Sequence, residues 1–310
     1  MPELIDGMTP QEFLQKVQLK RGRPPKDLQR KLDRARELLD EQREEALRKA
    51  TDPEQIITRV ERAFQILKSA AEQMVKPESN FIGLMVSGAP GIGKTYTLDQ
   101  EVFGPAAEKG VIHYRKISGA IRPVQLMKVL HEYRSPSSLL LFDDNDAVFS
   151  EEVDSLNLLK SALDTTAVRR LSWLSSTSEL EEDEKDFIFE GRVAFVTNID
   201  LLHEIQKNNR MTPHLRALRS RVHYLDLGLH NKHAQALWTA KVVRRENILV
   251  KHYKVTPQQQ EAVLKYLTAN FDRMSDISIR AAIHLASYVH LVKDVEDADN
   301  WRQVAEAFGY

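Results

Sequence analysis

The stretch over residues 87–95, Ser-Gly-Ala-Pro-Gly-Ile-Gly-Lys-Thr, has the residue types and the spacing of a phosphate-binding loop. Its glycines allow the backbone N–H groups to turn inward around phosphate oxygens, in conformations that a Cβ opposes. Lys94 can reach the β- and γ-phosphates, and the Thr95 hydroxyl is placed to bind Mg²⁺. A glycine-rich turn with a chance Lys-Thr pair is the alternative interpretation. The predicted nucleotide-binding residues are Gly88, Ala89, Pro90, Gly91, Ile92, Gly93, Lys94, Thr95 and Tyr96.

Two elements must hold this loop in place. A short apolar run at residues 81–86 predicts a strand before it, and a helix is predicted after it over residues 96–107. The N-terminus of such a helix carries partial positive charge, which favours a bound anion. Strand, glycine-rich turn and helix together predict that the chain binds a nucleoside triphosphate.

A second pair of candidate residues, Asp143 and Asp144, follows Ser138 and an apolar run over residues 139–142. Apolar residues on both faces of this run predict a central strand of a parallel sheet that is covered by helices. Ligands bind at the carboxyl ends of such strands, where these carboxylates are expected. In this Walker B pattern Asp143 would hold Mg²⁺ through its water shell, and Asp144 would polarise the attacking water. The alternative is an Asp-Asp turn after a buried strand.

The composition, with 42% hydrophobic and 29% charged residues in 310, is that of an ordinary globular chain of about two domains. The net charge of −1 argues against a general nucleic-acid coat, so any DNA contact must come from a local patch. The absence of cysteine excludes disulfides, thiolate metal sites and a cysteine nucleophile. No apolar run approaches the ~20 residues that cross a bilayer, and the N-terminus lacks a signal-peptide core. A cytoplasmic protein without membrane contact is therefore expected.

The first 50 residues are predicted to form an extension outside the nucleotide core. Residues 20–26, Lys-Arg-Gly-Arg-Pro-Pro-Lys, cannot form a helix, because two prolines remove backbone donors. Their Arg-Gly-Arg-Pro core resembles an AT-hook, in which Arg21 and Arg23 would lie in the minor groove of A·T-rich DNA. A solvated basic linker is the alternative. Residues 27–50 are predicted to form a helix whose apolar stripe packs against a neighbouring helix or subunit. The stripe consists of Leu28, Leu32, Ala35, Leu39 and Ala46.

The order of these parts resembles the AAA+ ATPase superfamily over roughly residues 51–295. Residues 88–95 match Walker A, and residues 139–144 match Walker B. Val-Thr-Asn at residues 196–198 resembles sensor 1. Ala-Leu-Arg-Ser-Arg at residues 217–221 resembles the arginine-finger segment of clamp loaders and branch-migration motors. The chain as a whole is similar to AAA+ proteins of bacteria and their phages.

The resemblance implies roles for several further residues. Asn198, in sensor 1, would orient the lytic water. An arginine from the next subunit would neutralise charge on the γ-phosphate, with Arg221 as the first candidate and Arg219 as the second. Arg280, in a segment that resembles sensor 2, would lie over the γ-phosphate from the lid. The implied catalytic residues are Asp144, Asn198, Arg221, Arg219 and Arg280.

The sequence therefore predicts an α/β fold: a parallel-sheet P-loop NTPase core of the AAA+ type, a C-terminal all-helical lid and an N-terminal helical extension. The predicted boundaries are 1–50 for the extension, 51–228 for the nucleotide-binding domain and 229–310 for the lid. The implied cofactors are ATP and Mg²⁺. The implied assembly is a homo-oligomer, either a hexameric ring or a helical assembly, with ATP hydrolysed between subunits.

Two kinds of work are compatible with such an ATPase. Remodelling or loading on DNA is favoured by the Arg-Gly-Arg-Pro arm and by the clamp-loader-like arginine segment. The alternative is remodelling of a polypeptide partner that is threaded through a central pore. The segment expected to line this pore carries Ile121 and Arg122 where threading members usually have an aromatic residue, which weakens the alternative. Arg122 could instead contact a phosphate backbone, so the DNA-binding candidates are Arg21, Arg23 and Arg122.

Overall fold

A computed structural model describes most of the chain in two units, Met1–Thr58 and Arg59–Tyr310. The described residues are 8–9, 12–13, 27–28, 30–35, 38, 52–146, 153–206, 210–229, 231–291 and 300–310. In the first unit, Phe13 and Leu38 share a small apolar cluster with Leu32 and Ala35, two members of the predicted stripe. The AT-hook-like arm with Arg21 and Arg23 lies outside the described residues, as do stripe members Leu39 and Ala46.

Five parallel strands form the central sheet of the second unit, in the order β2–β3–β6–β1–β7. The strands are β1 (Gly83–Ser87), β2 (His113–Ser118), β3 (Ser138–Asp143), β6 (Arg192–Thr197) and β7 (His223–Asp226). Strands β4 (Arg170–Ser172) and β5 (Asp186–Ile188) form a separate antiparallel pair. Residues 138–142 of β3 are all buried, as expected for an inner strand with helices on both faces. The predicted parallel α/β core is confirmed.

Helices surround this sheet and continue beyond it. They are α1 (Pro53–Met74), α2 (Gly104–Glu108), α3 (Pro123–Glu132), α4 (Val153–Ala162), α5 (Glu182–Lys185), α6 (Leu201–Gln206) and α7 (Thr212–Arg219) in the α/β part, and α8 (Lys232–Glu246), α9 (Ile248–Tyr253), α10 (Pro257–Ala269), α11 (Ile279–Leu291) and α12 (Asn300–Ala307) after it. The last five pack around an apolar core of their own, which includes Val263, Leu267 and Leu285. All the secondary-structure elements described after β7 are therefore helices. None of the helices that the structure describes has the length and apolarity needed to cross a bilayer.

Strand register brings the sequence motifs to one edge of the sheet. Ser87, where the phosphate loop begins, is paired with Thr197 at the end of β6. Asp143, at the end of β3, is paired with Val196 of the same strand. Because parallel strands end at the same edge, the three motifs converge although they are distant in sequence.

The helix after the phosphate loop differs from the regular helix predicted over residues 96–107. Residues Tyr96–Phe103 form a π-helix, and α2 follows directly. The Asp99 carboxylate is buried and accepts hydrogen bonds from the Tyr114 hydroxyl and the Lys116 ammonium, each at 2.7 Å. The Gly104 N–H donates to the Asp99 carbonyl, and a Cβ on Gly104 would lie 2.8 Å from that oxygen. The anchored carboxylate and the close glycine contact stabilise the wider helical turn.

The acidic segment over residues 176–186, predicted to be a surface loop, is only partly irregular. It includes helix α5 and the first residue of β5. Glu181 and Glu184 form a capping box at the start of that helix. Arg170 of β4 donates three hydrogen bonds to Asp186, so one acidic residue belongs to a paired strand rather than to a solvated loop.

Candidate functional site

Lys94 lies buried at the centre of the phosphate loop, with 4% of its surface exposed. Its Nζ donates to the carbonyls of Gly88 and Ala89, at 2.8 and 2.7 Å, and to Asn198 Oδ1 at 2.9 Å. Burial lowers the pKa of Lys94 to about 8, and nearby carboxylates, with Asp144 the strongest, oppose that shift. The loop thus holds a buried cation whose acceptors are all neutral oxygens, and a charged oxygen would be a stronger acceptor for it.

Thr95 and Asp143 form the second contact of the site. The Thr95 hydroxyl donates to Asp143 Oδ1 at 2.7 Å. A hydroxyl and a carboxylate are oxygen ligands of the kind that Mg²⁺ prefers, and Mg²⁺ takes its other ligands from water and phosphates. The described residues contain no group of three or more His, Cys, Asp or Glu side chains that could hold a metal. This pair therefore fits Mg²⁺ that is bound together with a nucleotide, rather than a metal held by the protein alone.

Asp144 and Asn198 form the third contact. Asn198 Nδ2 donates to Asp144 Oδ1 at 2.9 Å, and both side chains are exposed. Asp144 has a φ of 53°, a left-handed conformation that aspartate tolerates better than most residues. Because Asn198 also accepts from Lys94, its amide connects the loop lysine to the exposed carboxylate. A water beside Asp144 would therefore have a carboxylate acceptor that is linked through Asn198 to the Lys94 cation.

The lid contacts the loop backbone directly. The N–H of Ile279 donates to the Gly91 carbonyl at 3.1 Å, and Trp238 Nε1 donates to the Ile92 carbonyl at 3.0 Å. Gly91 has a φ of 66°, and a Cβ there would lie 2.6 Å from Cβ of Ser278. Glycine at this position is therefore required both by the turn and by the approach of the lid.

A cleft of about 720 Å³ extends from the loop between α1 and the lid. The loop, Asp144 and Asn198 line one part of it, and Tyr96 and Arg280 line it as well. Tyr96 is 62% exposed, so its ring is accessible to a ligand. The charge of Arg280 acts on Lys94, which places both cations near the same position. The volume lies within the range of about 300–1,000 Å³ that is common for ligand clefts.

The candidate finger arginines have different surroundings, and neither is among the residues that line the described cleft. The Arg219 guanidinium carbon lies 5.6 Å from the centroid of the Tyr224 ring. Arg221 Nη1 donates to the Ala217 carbonyl at 2.8 Å, and its Nε is 3.9 Å from Asp164 Oδ1. Arg122 is exposed at the start of α3, also away from the cleft lining.

Several residues of the site were not anticipated from sequence. Trp238 stacks on Phe64 of α1, with ring centroids 4.7 Å apart, beside the loop that its indole N–H contacts. Thr197, next to Asn198, donates to Asp146 Oδ1 at 2.7 Å. In the sequence, Phe64 and Trp238 occupy ordinary apolar positions of predicted helices, so no local pattern distinguishes them.

Comparison with known proteins gives one relative by sequence. No protein-family model matches the chain. The chain is 34% identical over 257 residues to the uncharacterised 36.7 kDa protein of the nrdC–mobD intergenic region of Enterobacteria phage T4. The match covers 82% of this chain and 76% of that protein.

Similar solved structures are more distant. NtrX from Brucella abortus in complex with ADP has 11% identity and a TM-score of 0.46, over 88% of this chain and 56% of that one. Domain III of the replication initiation protein DnaA from Thermotoga maritima has 12% identity and a TM-score of 0.46. That match covers 79% of this chain and 92% of the DnaA domain. The chain thus spans little more than half the length of NtrX. At TM-scores below 0.5, function must be argued from the geometry of the site.

Proposed function

This chain belongs to the same family as the uncharacterised phage T4 protein, and we propose that it is an ATP hydrolase of the AAA+ type. The observation that carries the proposal is the hydrogen-bonded series from Lys94 through Asn198 to Asp144, beside the Thr95–Asp143 pair. These five side chains supply a phosphate-binding cation, two oxygen ligands, a water acceptor and an amide that links them.

In this reaction a water attacks the γ-phosphorus, the bond to the β–γ bridging oxygen breaks, and ADP and phosphate are released. Asp144 orients the water through its carboxylate and accepts its proton. Lys94 and Arg280, which both line the cleft, neutralise charge on the phosphate oxygens. Thr95 and Asp143 would hold Mg²⁺, which when bound neutralises charge on the β- and γ-phosphates.

Binding of the triphosphate exchanges one set of contacts for another. Lys94 Nζ gives up the carbonyls of Gly88 and Ala89 and the Oδ1 of Asn198 for phosphate oxygens, which are stronger acceptors. Asn198 Oδ1 then becomes available to accept a hydrogen bond from the attacking water, while its Nδ2 keeps Asp144 in place. The Asn198 amide therefore accepts from Lys94 in the empty site and from the attacking water in the occupied site, and it donates to Asp144 in both.

We place the hydrolytic site between subunits of a homo-oligomer, with a hexameric ring or a helical assembly as its form. Arg221 is the first candidate for a guanidinium that enters the site of the next subunit, and Arg219 is the second. Their positions outside the lining of their own cleft support this assignment. An Arg221→Ala variant should keep its ATP affinity and lose turnover. Wild-type turnover in that variant and also in Arg219→Ala would refute a finger in this segment.

We propose remodelling or loading on DNA as the work that hydrolysis drives, with remodelling of a polypeptide partner as the second candidate. The exposed Arg122 and the basic arm with Arg21 and Arg23 favour DNA. ATP turnover is measured with double-stranded DNA, single-stranded DNA or an unfolded protein added separately. Stimulation by DNA alone supports the first candidate, and stimulation by unfolded protein alone supports the second.

The arm gives an independent test of the DNA role. Replacement of Arg21 and Arg23 by alanine should weaken DNA binding and reduce its dependence on salt, because fewer counterions are released. The control replaces the exposed Arg59 and Arg62 by alanine, which removes the same charge from another place. Equal affinity and equal salt dependence in both variants would show that the arm is only a linker.

A further inference from the structure

A basic surface lies on α7 and the residues around it, away from the lining of the cleft. Residues 210–223 contain four arginines and two histidines but no acidic residue. Arg216 and Arg219 are exposed on α7, and Arg221 follows it as a half-buried side chain. This surface concentrates positive charge in a chain whose net charge is −1.

Lys160 of α4 adds another cation to this surface. Its Nζ lies 3.2 Å from His214 Nδ1, on α7. Burial lowers the pKa of Lys160, and the charge of Arg221 lowers it further, so the two cations lie within electrostatic reach. Lys160 is therefore held beside a like charge rather than directed into open solvent.

The compensating charge on this surface is weak. Asp164 is the acidic residue that approaches Arg221, but its Oδ1 is 3.9 Å from Nε, which is too far for a hydrogen bond. That Nε is buried and has no hydrogen-bond partner among the described residues. Like charges held together cost free energy unless an anion joins them. The arrangement thus favours binding of an anion at this position.

We propose that Lys160 and Arg221 together form a two-cation site for the triphosphate that is bound in the cleft of a second copy of this chain. The inference rests on the proposed function and adds Lys160 to it. Both side chains are recessed and held by their own neighbours, His214 for Lys160 and the Ala217 carbonyl for Arg221. Such a fixed pair suits a compact polyphosphate, whereas an extended DNA backbone is met more readily by fully exposed side chains.

The test separates ATP affinity from turnover in full-length Lys160→Met, which keeps most of the apolar stem. Its affinity for ATP should stay within about twofold of wild type, and its turnover should fall at least about tenfold, because the lost cation acts only on the partner's phosphates. Lys160→Arg should restore at least about half of the turnover, since the positive charge returns. Lys109→Met, which removes an exposed lysine at the end of α2, should turn over ATP at the wild-type rate.

Several results would overturn the proposal. Wild-type turnover in Lys160→Met would do so, as would parallel losses of affinity and turnover, or a Lys160→Arg variant that folds but stays inactive. Loss of double-stranded DNA binding with normal turnover would assign the surface to DNA instead. Failure of the proposed function is recognised separately, because Lys94→Ala would then hydrolyse ATP as the wild type does.

A second measurement mixes subunits of two different variants, so it does not rely on the activity of a single variant. Lys94→Ala subunits carry an intact Lys160, and Lys160→Met subunits carry an intact phosphate loop. An equimolar mixture should turn over ATP several times faster than either variant alone, on the order of threefold or more, because mixed interfaces are complete. A mixture no faster than the average of its parts would contradict action across the interface.

Discussion

Lys94 and Asn198, which are 104 residues apart in sequence, are joined by a hydrogen bond of 2.9 Å from the ammonium to the side-chain carbonyl. The other end of the same amide donates to Asp144. Asn198 therefore connects the proposed phosphate-binding cation, Lys94, with the proposed water acceptor, Asp144. Alanine at position 198 would remove both contacts while leaving the loop itself intact.

Asn198→Ala should reduce ATP turnover by about 10- to 100-fold, because the water and Asp144 lose the group that orients them. Its affinity for ATP should change by less than about threefold, since Lys94 keeps its contacts with phosphate. Turnover and equilibrium binding measure the two effects. Asn157→Ala, which alters an exposed asparagine of α4, is the matched control. Undiminished turnover in Asn198→Ala would exclude this role.

The lowered pKa of Lys94, about 8, predicts how ATP binding depends on pH. A bound triphosphate raises the pKa of Lys94, so above about pH 8 the complex holds more protons than the free protein. Binding then takes up a proton, and affinity falls by as much as about tenfold per pH unit as pH rises above 8. Calorimetry in two buffers with different ionisation enthalpies measures the uptake.

Lys94→Arg is the control for this pH dependence, because a guanidinium stays charged over the same range. Its binding should proceed without proton uptake at pH 8–9. An affinity of the wild type that stays constant from pH 7 to 9.5, with no uptake, would show that Lys94 is not the group that titrates.

The sequence predicted the parts of the site that depend on local patterns. The buried run of β3 and the glycines of the loop identify their elements, and Asp143 and Lys94 follow from them. The lid contacts could not be predicted, because Trp238 meets Ile92 only through tertiary packing across 146 residues. The π-helix was missed for a similar reason, since it depends on Asp99 being held by side chains of another strand.

Gly91→Ala tests whether the close approach of Ser278 to the loop contributes to thermal stability and to ATP affinity. The alanine must adopt a left-handed φ, which costs about 1–2 kcal/mol, and its Cβ also meets Ser278 at 2.6 Å. The control is Gly110→Ala, where φ is 70° but nothing lies within 4 Å. We expect a larger loss of thermal stability and of ATP affinity for Gly91→Ala than for this control.

The double variant Gly91→Ala with Ser278→Gly is compared with Ser278→Gly alone. The loss of thermal stability between these two should be as small as the loss that Gly110→Ala causes in the wild type. The second substitution removes the side chain that the new Cβ meets, and only the backbone cost remains. Equal losses in Gly91→Ala and Gly110→Ala would mean that the contact with the lid is unimportant.

Trp238→Phe tests the hydrogen bond between the lid and the loop. Phenylalanine keeps a ring against Phe64 but leaves the Ile92 carbonyl without its donor. Removal of a buried hydrogen bond costs about 1 kcal/mol or more, so ATP affinity should fall about fivefold. Trp173→Phe, a substitution of an indole outside the cleft lining, should leave affinity unchanged. Equal affinities for both variants would remove Trp238 from nucleotide binding.

We propose above all that the loop around Lys94 hydrolyses ATP with Mg²⁺. Release of γ-phosphate from labelled ATP, by the purified wild type and by Lys94→Ala, tests this most directly. We expect the wild type to release phosphate and to stop when EDTA removes Mg²⁺, and we expect a loss of about 100-fold or more in Lys94→Ala. Release at the same rate by both proteins, or no release by an ATP-bound wild type at any protein concentration, would contradict this proposal.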